Sequence, residues 1–313
     1  MMTSTDEVVA WLMAGDPAIR WQTMRDLLAA PVEEWQAEQQ RTMEAGWGAQ
    51  LLKRQDENGG WGGGLYTPKW TSTTYTLLTL RAIGVPRACP AARAGAKLLL
   101  DSFFGATCDA AFHHKVRACD RCIVGMLLQL SVYFQIDDER IEAMVENLLA
   151  EMMPDGGWNC RRLARPRPHH SSFHTTFNVL DGLRDYIEFY DGTQRKKALA
   201  AEQNALELVL QHRLFKSDKS GEVINPKFTL LSFPHRWHYD VLRGLDYFAR
   251  VNALRDDRLY DAIDLLHQRR RQDGLWPVQN KYSGKVFFDM EKIGGPSRWN
   301  TLRALRILRW WEG

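Results

Sequence analysis

Apolar residues recur at helical spacing along most of this chain. At 171–183 the apolar stripe runs through Phe177, Leu180 and Leu183, behind small hydroxyl residues at Ser171 and Ser172. The spacing predicts a helix start, with His174 in its first turn. Altered copies of the pattern stand at 20–27, 73–80, 122–130, 235–245 and 297–305. A further helical stretch precedes each copy, at 7–14, 34–54, 91–104, 138–153, 194–212 and 256–271. The copies are roughly 47 to 62 residues apart, at or above the long end for a helical-hairpin repeat. The chain therefore reads as all-α, with six helical hairpins in a single domain over residues 1–313. The first and last copies, Arg20-Trp21-Gln22-Thr23 and Arg298-Trp299-Asn300-Thr301, share one pattern, so neither looks like a polar end cap. The expectation is closure into a ring of six inner and six outer helices. An open solenoid is the alternative.

The stretches between helices carry glycine and tryptophan. Gln55-Asp56-Glu57-Asn58-Gly59-Gly60-Trp61, Asp155-Gly156-Gly157-Trp158 and Gln272-Asp273-Gly274-Leu275-Trp276 are the three cases. Glycine permits the left-handed residue that stops a helix. The tryptophan can then fold back between neighbouring hairpins. These turns read as structural staples.

Gln55, Gly59 and Trp61, like Gln272, Gly274 and Trp276, resemble the Gln-Trp repeats of squalene-hopene cyclases. The hairpin series is similar to the wider group of squalene cyclases and protein prenyltransferase β-subunits, and the resemblance covers nearly the whole chain. It implies an (α/α)6 toroid. It says less about chemistry, because one fold hosts several reactions.

Composition narrows the classes. With 313 residues, 45% hydrophobic and 25% charged, the chain has an ordinary globular balance. A net charge of +3 gives no footprint for nucleic acid. No apolar run approaches the ~20 residues of a membrane span. The N-terminus, Met1-Met2-Thr3-Ser4-Thr5-Asp6-Glu7, lacks the pattern of a signal peptide. Five cysteines at uneven spacing argue against a disulfide framework and for a reducing, cytoplasmic compartment.

In a ring of this kind the inner helices run the same way, so their first turns share one mouth. Asp120 and Cys122 open one inner helix, and His174 stands at the matching place on the next. Cys160 ends the loop leading toward that second helix. Thiolate, imidazole and carboxylate together suit Zn2+, and helix N-termini favour deprotonated thiols. In prenyltransferase β-subunits an Asp-x-Cys pair and a Tyr-His-Thr histidine hold zinc. Asp120-Arg121-Cys122 matches the first motif, and Phe173-His174-Thr175 resembles the second. Cys160 has no counterpart there and would fill the substrate thiol's position. Cys119, three residues before Cys122, offers an alternative set of Cys119, Cys122, Cys160 and His174, a structural zinc arrangement. The two sets compete over Cys119 and Asp120.

A second group is His235-Arg236-Trp237-His238-Tyr239-Asp240. Here His238 and Asp240 are acid–base candidates. Arg236, Trp237, Trp21 and Arg298 are candidates for substrate binding, through an anion contact or ring stacking. A polar network around helix ends is the other reading of this group. The basic run 161–170 could attract a phosphate or an acidic peptide. No Asp-x-Asp-Asp motif for alkene protonation, no P-loop and no Gly-x-Ser-x-Gly elbow occurs.

The resemblance implies a zinc enzyme that activates a thiol or water against an apolar substrate, by prenyl transfer or a related alkylation. Lanthionine-forming cyclases have a similar toroid and use Cys, Cys and His on zinc, so thioether formation is a sibling idea. The substrate would be a small molecule or peptide, and a partner subunit is conceivable because none is encoded here. The alternatives are a non-catalytic, zinc-stabilised binding module and a metal-free terpene cyclase-like enzyme lacking the acid motif.

Overall fold

The structure, a computed structural model, describes residues 5–160, 166 and 168–313. Most of the basic run 161–170 and the first residues of the chain thus lie outside the described residues. The α-helices run in chain order as follows: α1 Thr5–Met13, α2 Pro17–Asp26, α3 Val32–Gln40, α4 Gly46–Leu52, α5 Thr73–Ala82, α6 Pro90–Phe104 and α7 Ala110–Ala118. Then come α8 Arg121–Tyr133, α9 Arg140–Ala150, α10 Phe173–Phe189, α11 Arg195–Gln211, α12 Val241–Arg250, α13 Tyr260–Gln268 and α14 Arg298–Glu312. Extended pairing among the described residues is limited to isolated bridges such as Gln55 with Trp61. The protein is all-α.

The chain forms two compact units, where the sequence reads as one domain. One comprises Met1–Lys53, Ile83–Pro86 and Leu210–Gly313, and the other Arg54–Ala82 and Arg87–Val209.

Five of the six repeated stretches form helices where their apolar stripes place them: α2, α5, α8, α10 and α14. The stretch at 235–245 differs. Its helix begins only at Val241, because Asp240 is the N-cap and accepts the Arg243 N–H at 2.9 Å. Arg236, Trp237 and His238 therefore stand in the loop before the helix. The stretch at 34–54 is also broken, into α3, a 3-10 turn at Arg41–Met43 and α4. Gly46 marks the break with φ +70, and a Cβ there would meet the Asp16 carboxylate at 2.2 Å. Helix α7 has no counterpart among the predicted stretches.

The unit built from 54–82 and 87–209 is centred on α8 and α10. These helices pack backbone to backbone. A Cβ on Gly125 would meet the Asn178 carbonyl oxygen at 2.5 Å, and one on Gly182 would meet the Gly125 carbonyl oxygen at 2.6 Å. Arg81 forks onto Asp185 with bonds of 2.8 and 2.6 Å, and Asp185 is fully buried.

Three glycine–tryptophan turns have one construction. The backbone N–H groups of Trp61, Trp158 and Trp276 donate to the hydroxyls of Thr73, Thr176 and Thr301 at 3.0, 3.0 and 2.9 Å. Each threonine lies in the first turns of the following repeated helix. All three indoles are fully buried. Trp158 and Trp276 donate their ring N–H to Leu148 and Leu266 carbonyls, both at 2.7 Å. The staples expected from sequence are present, with the threonine as their second half.

The other unit is tied by ion pairs between α12, α14 and the end of α2. Arg303 and Arg306 both bond Asp246, at 2.9 and 2.6 Å, and Arg306 reaches Asp26 at 2.8 Å. Burial alone would raise the Asp246 carboxyl, but Arg306 and Arg303 override it and hold it below the ordinary range.

Candidate functional site

In the unit of α8 and α10, two chain segments bring two thiols together. Asp120 is the N-cap of α8, which puts Cys122 in the first turn. Cys160 ends the extended stretch after Trp158, a stretch held because the Trp158 and Ser172 backbones are bonded and the Asn159 side chain accepts the Cys160 N–H. The result is a Cys160 Sγ to Cys122 Sγ distance of 3.2 Å. The Thr175 hydroxyl is 3.4 Å from the Cys160 sulfur.

The two thiols are unequal. In the neutral pair Cys160 donates to the Cys122 sulfur; once Cys160 ionises, Cys122 is the donor to it. Burial opposes ionisation of Cys160, but the Cys122 thiol, the Thr175 hydroxyl and the Cys122 backbone N–H stabilise its thiolate, lowering it to about 7. Cys122 is pushed strongly up by its bond to Cys160, by burial, and by the neighbouring charges of Asp120 and Cys119. Above about pH 7 the pair therefore holds a single proton.

Asp120 has an uncommon role for its position. It is an N-cap, yet its side chain makes no capping bond. Its charge instead acts on Cys122, Cys160 and Tyr66. His174 sits in the first turn of α10, immediately before Thr175, and its carbonyl accepts from Asn178. Cys119 caps the end of α7.

The loop before α5 supplies a wall that sequence reasoning missed. The Lys69 ammonium lies 5.1, 5.6 and 5.9 Å from the ring centres of Tyr66, Trp70 and Tyr75. Lys69 is lowered by burial and raised by Cys122. Tyr66 is pushed up to about 12, first by burial and then also by Cys122, Cys160 and Asp120. The wall thus responds electrostatically to the thiols. The available signal was the density of aromatic residues at 66–75 right after a glycine–tryptophan turn.

The fit to zinc divides by ligand. Tetrahedral zinc with Zn–S bonds of about 2.3 Å separates two sulfurs by about 3.8 Å. Cys122 and Cys160 need open by only about half an ångström to reach that span. The Asp120 carboxylate has no hydrogen bond to a described residue and is available as a donor. Yet among the described residues no group of three or more His, Cys, Asp or Glu side chains is gathered to hold a metal ion. Of the expected ligands Cys119, Asp120, Cys122, Cys160 and His174, the structure puts the sulfurs of Cys122 and Cys160 in direct contact.

The second expected group lies in the other unit. His238 is stacked between Trp237 at 3.8 Å and Tyr282 at 3.6 Å, ring centre to ring centre. Asp240 is fully buried and accepts the N–H groups of Arg243 and Ser232, both at 2.9 Å. Burial raises its carboxyl, against the opposing Arg303 charge and the two N–H groups. That is the place of a helix cap, not of a group open to substrate. Trp21 is buried, with its ring N–H on the Ile83 carbonyl at 3.2 Å and Arg25 over its face. It has a packing role. Arg236 adopts φ +58 in the loop before α12. Arg298 opens α14 and lies over Trp11.

No known protein family matches this chain, and neither a curated protein nor a solved structure is detectably similar to it. No described helix is long and apolar enough to cross a membrane.

Proposed function

We propose that Cys122 and Cys160 are two ligands of a zinc–thiolate centre in an (α/α)6 protein, and that the centre activates a thiol or water against an apolar substrate. The carrying observation is the 3.2 Å approach of two sulfurs at the first turn of α8, beside the first turn of α10. His174 and Asp120 complete the set, with Cys119 as the competing fourth ligand. When bound, zinc lowers the pKa of a coordinated thiol or water to the neutral range. The helix N-terminus and the Lys69 ammonium offset thiolate charge. The half-buried Tyr66 ring supplies an apolar surface against which a hydrocarbon group can lie, backed by the buried Tyr75 and Trp70. Prenyl transfer or a related S-alkylation of a small molecule or peptide is the reaction class this supports, and a partner subunit is compatible with it. Free cysteines suit the cytoplasm, and the repeated tryptophan–threonine staple supports hairpins repeated around a ring.

Metal analysis of protein purified without chelators tests the reading. The expected result is one zinc per chain, lost in Cys122→Ser and Cys160→Ser and reduced in His174→Ala. Wild-type protein without stoichiometric zinc ends it. Absorption spectroscopy at the zinc edge then separates catalysis from a binding module: an oxygen ligand from water favours the enzyme, and four protein ligands favour the module.

One observation favours a second reading, a metal-free thiol pair. The sulfurs share a hydrogen bond and stand closer than they would across zinc. In that case Cys160 is the nucleophile and Cys122 its proton partner.

A further inference from the structure

The unit containing both ends of the chain holds a cleft of about 450 Å³, lined by Gly15, Asp16, Trp47, Glu291, Lys292 and Arg298 among others. Its acceptors are already engaged. Asp16 accepts the N–H groups of Ala18 and Trp47 at 2.9 and 2.7 Å. Glu291 accepts the Ser297 hydroxyl and the Trp299 N–H. Several of its side-chain donors remain open among the described residues. Arg298 is fixed by stacking at 4.3 Å on Trp11 and by its Nε bond to the Trp11 carbonyl at 3.0 Å. Among the described residues nothing accepts from its two terminal nitrogens. The same holds for the exposed Lys292 ammonium and the Trp47 ring N–H. Even the bare backbone of Gly15 serves the arginine, since a Cβ there would meet Arg298 Cδ at 2.6 Å.

A cleft with its acceptors spent and three kinds of donor open calls for an acceptor-rich ligand. A guanidinium held at its Nε end presents a planar fork, the geometry that matches oxyanions bidentately. Lys292 and the indole N–H add donors from other directions, which suits a tetrahedral group better than a planar carboxylate. The half-buried Trp47 ring and Met290 offer an apolar face next to it. The N-cap of α2, Asp16, and the first residue of α14, Arg298, line this cleft. The carboxylates of Asp16 and Glu291 lower the net attraction, so the site selects by geometry more than by field.

We propose that this cleft binds the phosphate of a small organic phosphate monoester, with its organic part against Trp47. The inference does not depend on the thiol site.

Calorimetric titration of the full chain with phenyl phosphate, inorganic phosphate and benzoate tests it. Saturable binding is expected for phenyl phosphate, weaker for inorganic phosphate and weakest for benzoate. Lys292→Gln should weaken phenyl phosphate by ~3-fold and Arg298→Gln by ~10-fold or more. Lys292 is exposed and unpaired, so its variant keeps the fold, and unchanged circular dichroism confirms that for both. Absence of saturable binding up to about 10 mM, equal affinity for benzoate, or unchanged affinity in both variants overturns the proposal.

Discussion

The sulfur of Cys160 stands 3.2 Å from that of Cys122, although 38 residues separate them in the chain. One is anchored by a helix N-terminus and the other by the stretch after a buried tryptophan. The contact therefore depends on how α8 and α10 pack, and those helices touch through bare glycine backbone.

The unequal thiols make a pH prediction for metal-free protein. Cys160 accepts from Cys122, Thr175 and a backbone N–H, so it alkylates as a thiolate above pH about 7. Iodoacetamide modification, followed by mass spectrometry against pH, should show a Cys160 midpoint near that value. Cys122→Ala removes the first donor and should move the midpoint up, toward about 8.5. An unmoved midpoint means that the Cys122 thiol does not hold the Cys160 charge.

Oxidation gives a separate check on the sulfur geometry. In the presence of a chelator, diamide should couple Cys122 and Cys160 into a disulfide, the azo group taking up the two protons and two electrons. The peptide bearing that cross-link should appear in nonreducing digests, and Cys89 should remain a thiol because it is buried. Recovery of both residues as free thiols contradicts their proximity.

Close helix packing makes Gly125 intolerant of substitution. Gly125→Ala places a methyl group against the Asn178 carbonyl carbon and the Val179 Cα, both at 2.8 Å. Backbone cannot swing aside as a side chain can, so α8 and α10 must separate. A loss of about 1–3 kcal/mol in chemical denaturation is expected. The same change should raise the reactivity of the Cys122 and Cys160 thiols, because Cys122 lies on α8 and Thr175, which touches Cys160, on α10.

Trp158→Phe probes the staple without emptying much of the core. It leaves the buried Leu148 carbonyl without the indole N–H. The expected cost is about 1–3 kcal/mol, read from the denaturation midpoint. Thr176→Val, which strips the acceptor from the Trp158 N–H, should cost a comparable amount.

Acid should loosen the other unit through Asp246. Arg306 and Arg303 hold this carboxyl below its unfolded value of about 4. Its contribution is therefore complete above that unfolded value and is lost as pH falls through the lower folded value. Asp246→Asn should destabilise the protein at pH 7 by about 3 kcal/mol, because the buried Arg303 loses its carboxylate partner and Arg306 keeps only Asp26. It should also flatten the acid limb of the stability curve below pH about 4. A variant whose acid limb matches wild type removes Asp246 from that role.

Much of the architecture was legible in local pattern. Apolar spacing located α2, α5, α8, α10 and α14, because burying a stripe is a local demand on a helix. Glycine before tryptophan marked the three turns for the same reason. The late start of α12 was less visible, since the cap at Asp240 looks like any acidic residue near a helix start. The break at Gly46 depends on Asp16, which arrives from another element. The site was half legible. Cys122, Cys160 and Asp120 stood out by chemistry, whereas Lys69 and its three rings carry no motif and acquire meaning only beside the thiols. Trp21 and Asp240 looked chemical in sequence but are engaged in packing and capping.

What the sequence determined by itself was therefore the helical class, the glycine–tryptophan turns and the cysteines worth watching, all set by short-range periodicity and residue chemistry. What only the tertiary structure decided was which groups meet: the bare-backbone contact of α8 with α10, the sulfur pair, the caged ammonium and the cleft with its donors open. Those depend on distances between segments far apart in the chain, and side-chain identity does not encode a distance until the core has packed.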